Sequence, residues 1–239
     1  MDPIHKPDDQ RPRAVCLLSG GLDSAPALYA AIRQGYEAIA LTIYYGQTHV
    51  REIQAAKAIA APLGVEHHLV TFALPWGGSA LLDPSIPIPQ GREESQMASE
   101  IPATYVPARN SIFLAMAASL AEAREARAIF IGANAIDYSG YPDCRPEFLN
   151  AFTEALRLGT KAGTQGQRLT IEAPLVRLSK KAIVQLGYAL GVPFEKTWSC
   201  YVGGEIPCGE CDSCILRRKG FEEAGLTDPL MAYAVSSHR

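Results

Sequence analysis

Val15-Cys16-Leu17-Leu18-Ser19-Gly20-Gly21-Leu22-Asp23-Ser24 joins an apolar run of strand length to a Ser-Gly-Gly turn, and an Ala-rich helical pattern follows directly. That succession predicts a phosphate cradle. Glycines 20 and 21 admit positive φ and carry no Cβ, so successive backbone N–H groups can converge on an anion at a helix N-terminus. Ser19 and Ser24 add hydroxyl donors, and Asp23 is placed either to cap the helix or to hold Mg²⁺. Pro26 falls in the first helical turn, where its missing N–H costs little. Neither of the commoner phosphate loops fits: G-x-x-x-x-G-K-[ST] needs a lysine that is absent, and G-x-G-x-x-G needs a different glycine spacing. An ordinary tight turn would explain two glycines but not the full S-G-G-x-D-S set.

The strand-SGGLDS-helix unit resembles the pyrophosphate loop of the ATP-pyrophosphatase (PP-loop) superfamily, whose members split ATP between the α- and β-phosphates to adenylate a substrate oxygen. The 239 residues, 48% hydrophobic and 20% charged, suit a soluble α/β domain with a substantial core. No apolar run approaches the ~18 residues of a membrane span. The opening MDPIHKPDDQRPR mixes Pro with both charge signs and has no apolar centre, so residues 1–13 read as a flexible tail rather than a signal peptide. The cytoplasm is the expected compartment. A net charge of −3 argues against a large nucleic-acid footprint, which relies on clustered Lys and Arg.

Along the chain, helical spacing of Ala27, Leu28, Ala31 and Ile32 ends at Gly35, and a buried strand is expected over 38–45. A helix over 48–63 with Ile53, Ala56, Ala60 and Leu63 on one face precedes a third strand over 65–72. This alternation implies right-handed crossovers and a parallel sheet. From Ala73 to Pro107 six prolines interrupt every pattern, leaving either a flap over the site or a solvated excursion. A long helix then runs from Ser111 to about Arg127, with Asn110 as its expected N-cap. Arg109, where loop meets helix, suits bidentate recognition of phosphate or carboxylate, although a plain surface arginine fits equally. A fourth strand over 128–132 leads into a loop holding Asp137, Tyr138, Tyr141, Asp143 and Arg145. At the carboxyl end of a strand beside the switch point, such a loop would face the phosphate cradle, offering stacking and carboxylates to an amidine-like edge. A helix over 148–158, a fifth strand over 169–174 and a helix over 180–190 capped by Ser179 complete the pattern. Lys180 opposes the dipole at its helix start, which points to an accompanying anion, whereas a surface lysine is the commoner explanation.

Four of the six cysteines, Cys200, Cys208, Cys211 and Cys214, fall within fifteen positions. A reducing compartment and this spacing point to metal rather than disulfides. Four thiolates suit a closed tetrahedral Zn²⁺ site of structural type. An iron–sulfur cluster is the competitor, but ferredoxin runs continue with x3-C-P, whereas Cys214 is followed by Ile-Leu-Arg-Arg. Arg217, Arg218 and Lys219 on the following helix form the chain's basic cluster.

With these pieces placed, the chain resembles the 7-cyano-7-deazaguanine synthase family, the queuosine-pathway branch of the PP-loop superfamily. The resemblance spans Val15 to Gly225 and rests on LLSGGLDSA, YYGQTHVREIQAA, YVPARNSIFLAMAA, GANAIDYSGYPDCRPEF and TWSCYVGGEIPCGECDSCILRRKGFEEAG. It implies a doubly wound five-stranded parallel sheet of the adenine nucleotide alpha hydrolase-like kind over 14–195, with a four-cysteine zinc appendage at 196–239 packed on the same domain. It implies an ATP-dependent carbon–nitrogen ligase that turns 7-carboxy-7-deazaguanine and ammonia into the nitrile through an amide, using ATP, Mg²⁺ and one structural Zn²⁺. Leu18, Ser19, Gly20, Gly21, Leu22, Asp23 and Ser24 would hold the nucleotide, with Asp23, Ser24 and Lys180 catalytic. Arg109, Asp137, Tyr138, Asp143 and Arg145 are the substrate candidates. Ala182 departs from the glutamate many relatives carry there. No glutaminase-like stretch is evident, so ammonia is the expected nitrogen donor; neither membrane nor nucleic acid is an expected partner, and a homodimer is left open. Two other readings compete: a tRNA-thiolating enzyme, for which only Cys16 and Cys144 remain as sulfur carriers, and a zinc-stabilised binding module resting on Arg217, Arg218 and Lys219.

Overall fold

The structure, a computed structural model, describes residues 11–135 and 141–231. In chain order its elements are β1 (Arg13–Leu17), α1 (Ser24–Arg33), β2 (Glu37–Tyr44), α2 (Arg51–Ala60), β3 (Glu66–Thr71), α3 (Glu94–Ser99), α4 (Arg109–Ala123), β4 (Ala128–Phe130), α5 (Pro146–Gly159), α6 (Lys161–Thr164), β5 (Thr170–Glu172), α7 (Lys180–Leu190) and α8 (Asp212–Ala224). The strands form one parallel sheet in the order β3-β2-β1-β4-β5, as the alternating pattern predicts.

β1 lies at the centre because it is apolar on both faces. Val15 and Leu17 pack with Leu114, Ala117 and Leu149 of α4 and α5. Ala14 and Cys16 pack with Leu28, Ile59, Val184 and Phe221 from α1, α2, α7 and α8. The period-two alternation of a strand sends successive side chains into two separate cores, and both cores need a covering layer of helices. β1 and β4 are neighbours in the sheet but distant in the chain, so the loops leaving their carboxyl ends diverge and open a crevice between them.

Several local expectations are corrected. α2 starts at Arg51, and its buried face is Ala55, Ala56, Ile59 and Ala60 rather than one containing Ile53. None of the described residues of the 73–107 stretch lines the crevice, while Leu74, Leu81, Met97 and Val106 are buried. The stretch is tied to the C-terminal segment through Gly91 N–H to the Glu210 carbonyl at 2.9 Å and an Arg92–Asp212 ion pair at 3.4 Å. Asn110 is not the cap of α4, which begins one residue earlier after Ala108 at φ 53°. The basic cluster dissolves as well. Arg217 is buried, with its guanidinium on both oxygens of Asp228 at 2.6 and 2.8 Å and on Thr197 Oγ1 at 2.7 Å. A guanidinium so enclosed locks α8 to the segment before the cysteines and offers nothing to a nucleic-acid backbone. No described helix is long and apolar enough to cross a membrane.

Candidate active site

The turn after β1 is a compact anion cradle. Gly20 and Gly21 both aim their N–H groups at Ser24 Oγ, at 3.1 and 3.2 Å, and Ser19 Oγ donates to the same oxygen at 3.0 Å. Two consecutive amides converging on one oxygen at the start of α1 are the arrangement that holds phosphate oxygens. Gly20 takes φ +86°, and a Cβ there would lie 2.5 Å from Ala56 N and 2.5 Å from Glu52 O on the backbone of α2. Gly20→Ala combines left-handed strain with a backbone clash, so a loss of about 2–4 kcal/mol is expected, read as a lower denaturant midpoint at unchanged slope.

Asp23 occupies the N-cap position of α1 but makes no capping hydrogen bond. Its carboxylate instead receives Lys180 Nζ, 2.8 Å from each oxygen, with Lys180 only 4% exposed. The anion that the position of Lys180 on α7 requires is therefore Asp23, and the surface-lysine reading is excluded. Ser179 caps α7 by accepting from Ala182 N–H at 3.3 Å, so Ala182 costs the cap nothing.

These groups line a cavity of roughly 200 Å³. Leu18, Ser19, Gly21, Leu22, Asp23, Ser24, Arg109 and Lys180 all reach it, while Gly20 stands behind the loop against α2. Arg109 opens α4, donates to Tyr45 Oη at 3.2 Å, and lies 5.8 and 6.0 Å from the Tyr45 and Phe113 ring centres. It has no carboxylate within ion-pair distance among the described residues, so its charge is directed at whatever fills the cavity. Asp143 and Arg145 do not reach it. The buried Asp143 accepts Asn110 N–H at 3.0 Å and thereby satisfies an otherwise orphaned amide in the first turn of α4. Arg145 is exposed at the start of α5. Asp137 and Tyr138 lie outside the described residues.

Tyr141, of the loop expected to face the cradle, does line the cavity, while pattern reading missed Tyr45, Glu52, Trp198 and Tyr201, which line it too. Glu52 had a detectable signal, since it precedes Ala55, Ala56 and Ile59 by three, four and seven positions and so shares the apolar stripe of α2. Tyr45 read as the end of a buried strand. Burial pushes the Cys16 thiol up to about 12 and the Cys144 thiol up to about 11, which leaves neither as a thiolate for sulfur transfer at neutral pH.

The four C-terminal cysteines do meet: their Sγ atoms all lie within 4.8 Å of one another. The Cys208–Cys214 separation of 4.0 Å is close to the edge of about 3.8 Å set by four Zn–S arms of about 2.3 Å. Cys208 N–H points at Cys200 Sγ and Cys211 N–H at Cys208 Sγ, both at 3.3 Å, the donors a thiolate needs once partly buried. Donor set and spacing therefore fit a closed four-sulfur metal site. Trp198, just before it, lines the cavity and donates its backbone N–H to the Gly20 carbonyl at 2.9 Å, so the cysteine segment also holds the loop after β1.

Comparison with known proteins places the sequence among relatives. The chain is 56% identical over 221 residues to a 7-cyano-7-deazaguanine synthase of Trichodesmium erythraeum, covering 92% of this chain and 100% of that protein. A protein of the same name from Thermosynechococcus vestitus is 55% identical, covering 93% and 96% respectively. Among solved structures, a 4-thiouridine synthetase in complex with RNA and bound ATP is 20% identical, with 95% of this chain and 50% of that chain aligned at a TM-score of 0.48. The sequence model of the queuosine biosynthesis protein QueC matches residues 13–225, which takes in the cradle, Arg109, Lys180 and all four cysteines. On that coverage, and on an identity above half to full-length relatives, the chain belongs to the QueC family of queuosine biosynthesis proteins.

Proposed function

We propose that this chain is an ATP-dependent carbon–nitrogen ligase that converts 7-carboxy-7-deazaguanine and ammonia to 7-cyano-7-deazaguanine. The observation that carries the reading is one cavity holding both a two-amide anion cradle and an arginine that has no carboxylate partner among the described residues. A carboxylate is a poor electrophile until one oxygen becomes a phosphate ester. Arg109 binds the substrate carboxylate and aims it, while the cradle takes the β- and γ-phosphates as they depart, replacing the Ser24 hydroxyl contacts with phosphate oxygens. Lys180 adds positive charge where pyrophosphate leaves. Mg²⁺ accompanies the nucleotide and neutralises phosphate charge, and Asp23 is the loop's one carboxylate that would meet it.

The same site then works twice. Ammonia displaces AMP from the acyl adenylate to give the amide; a second ATP adenylates the amide oxygen, and loss of AMP leaves the nitrile. Zn²⁺ is the ion proposed for the four cysteines, with a structural role.

Mass spectrometry of the base after incubation with 7-carboxy-7-deazaguanine, Mg·ATP and ammonium tests this. Nitrile is the expected product, with amide appearing first. ATP cleavage without nitrile would leave the phosphate loop standing and make the substrate wrong, and absence of both would overturn the reading.

A further inference from the structure

The proposed reaction removes every hydrogen from the incoming nitrogen. Ammonium carries four N–H bonds and the nitrile none, so a base must work at that nitrogen repeatedly, in a cavity that has to keep water from the acyl adenylate. Among the described residues lining the cavity the carboxylates are Asp23 and Glu52, and no histidine reaches it. Asp23 has both oxygens on Lys180 Nζ. Cys144 is held as a neutral thiol by burial. Glu52 differs from all of these. It stands in the first turn of α2, directly behind Gly20 of the cradle, and its carboxylate makes no hydrogen bond or ion pair among the described residues. Arg109 lies near enough to be felt electrostatically but outside ion-pair distance. Burial pushes the Glu52 carboxyl up to about 7 against the opposing pull of Arg109, which matches a group that must both take and return protons at neutral pH.

Resting on the function proposed above, we infer that Glu52 is the catalytic base that takes the protons of the substrate nitrogen. In the first half, ammonium gives one proton to the Glu52 carboxylate, which passes it to solvent; the ammonia lone pair then forms the N–C bond, the C–O bond to AMP breaks, and a second N–H proton passes to Glu52, leaving the neutral amide. In the second half, the adenylated amide loses AMP by cleavage of its remaining C–O bond. The amide lone pair having made the second C–N bond on adenylation, one N–H bonding pair becomes the third and the other the nitrile's lone pair as both protons leave, the first to Glu52 and the second after Glu52 has passed the first to solvent. Adenylation itself breaks no N–H bond and needs no such base.

That difference provides the test. Glu52→Gln keeps the shape of the side chain and removes its basicity. Substrate-dependent ATP–pyrophosphate exchange should stay within about threefold of the parent, while amide formation from ammonium and nitrile formation from supplied amide should each fall by about 10²–10³-fold. Hydroxylamine, uncharged at neutral pH and strongly nucleophilic, should still trap the acyl adenylate as hydroxamate within about tenfold of the parent rate. Glu52→Asp should restore part of the amide rate, which keeps the test decisive if Glu52→Gln folds poorly. Loss of exchange in both variants would assign Glu52 to nucleotide binding and overturn the inference, as would a parental rate of amide formation in Glu52→Gln. A parent protein that shows neither exchange nor nitrile would instead fail at the level of the proposed function.

Discussion

Stripping the metal, or replacing Cys214 by serine, is expected to lower the melting temperature by about 20 °C or more and to abolish turnover at the same time. The size follows from the donor set. Four thiolates closing on one Zn²⁺ contribute about 10 kcal/mol to folding, comparable with the whole stability of an ordinary domain. In a chain of 239 residues each kcal/mol shifts the midpoint by about 2–4 °C. The coupling to activity follows from what the cluster carries. Cys214 lies in the first turn of α8, and Cys200 is buried in the same small core as Trp198 and Ala55. Trp198 holds the Gly20 carbonyl at 2.9 Å, and Trp198, Ser199, Tyr201 and Ser213 line the cavity, so a loosened cluster releases one wall of the site and the tether of its phosphate loop together. Thermal melts with and without a strong chelator, alongside metal analysis by mass spectrometry, check this. One zinc per chain and parallel loss of midpoint and turnover are expected. A midpoint that does not move on complete demetallation would make the cluster dispensable, and iron with visible absorption would replace zinc by an iron–sulfur centre.

The parts legible in the sequence were those written in local pattern. β1, β2 and β4 are apolar runs, and the order of strands and helices implied the parallel sheet that the pairing shows. The cradle and the cysteine cluster were readable because their residues sit within ten and fifteen positions of one another. What escaped was carried by contacts between distant positions. The amide in the first turn of α4 is satisfied not by a neighbouring side chain but by Asp143, 33 positions on. Arg217 read as part of a basic surface because its partner, Asp228, lies beyond the helix in a segment without pattern. Lys180 is the instructive intermediate: a lysine at a helix N-terminus signals a missing anion, but only the fold identifies it as Asp23, 157 positions earlier. Glu52 broke the apolar stripe of α2, and such a break is the mark that a functional side chain leaves in an otherwise consistent pattern.

The Lys180–Asp23 pair joins that long-range architecture to chemistry, and separating its two duties gives the second large effect. α7 and α8 meet at Gly220, where a Cβ would lie 2.9 Å from Lys180 Cβ, so the helix that starts at the cysteine cluster presses on the residue that reaches the phosphate loop. The Lys180 side chain is 5% exposed and that of Asp23 is 23% exposed. Lys180→Met therefore strands a mostly enclosed carboxylate and is expected to cost about 2–4 kcal/mol, the lower part of the range for a broken buried pair because Asp23 keeps some solvent. Turnover should fall by about 10²–10³-fold, since in the proposed reaction the ammonium would also face the departing pyrophosphate. Combining Lys180→Met with Asp23→Asn removes the stranded charge, so most of the lost stability should return, as it does when both members of a buried pair are neutralised. Turnover should not return, because the cavity then has neither the cation on its phosphate wall nor the carboxylate that would meet Mg²⁺. Denaturant melts and nitrile formation measured on both single variants and the double variant complete the cycle. A double variant that regains turnover along with stability would reduce the pair to a structural clasp. One that regains neither would show that Lys180 is needed to shape the junction of α7 and α8, whatever charge it carries.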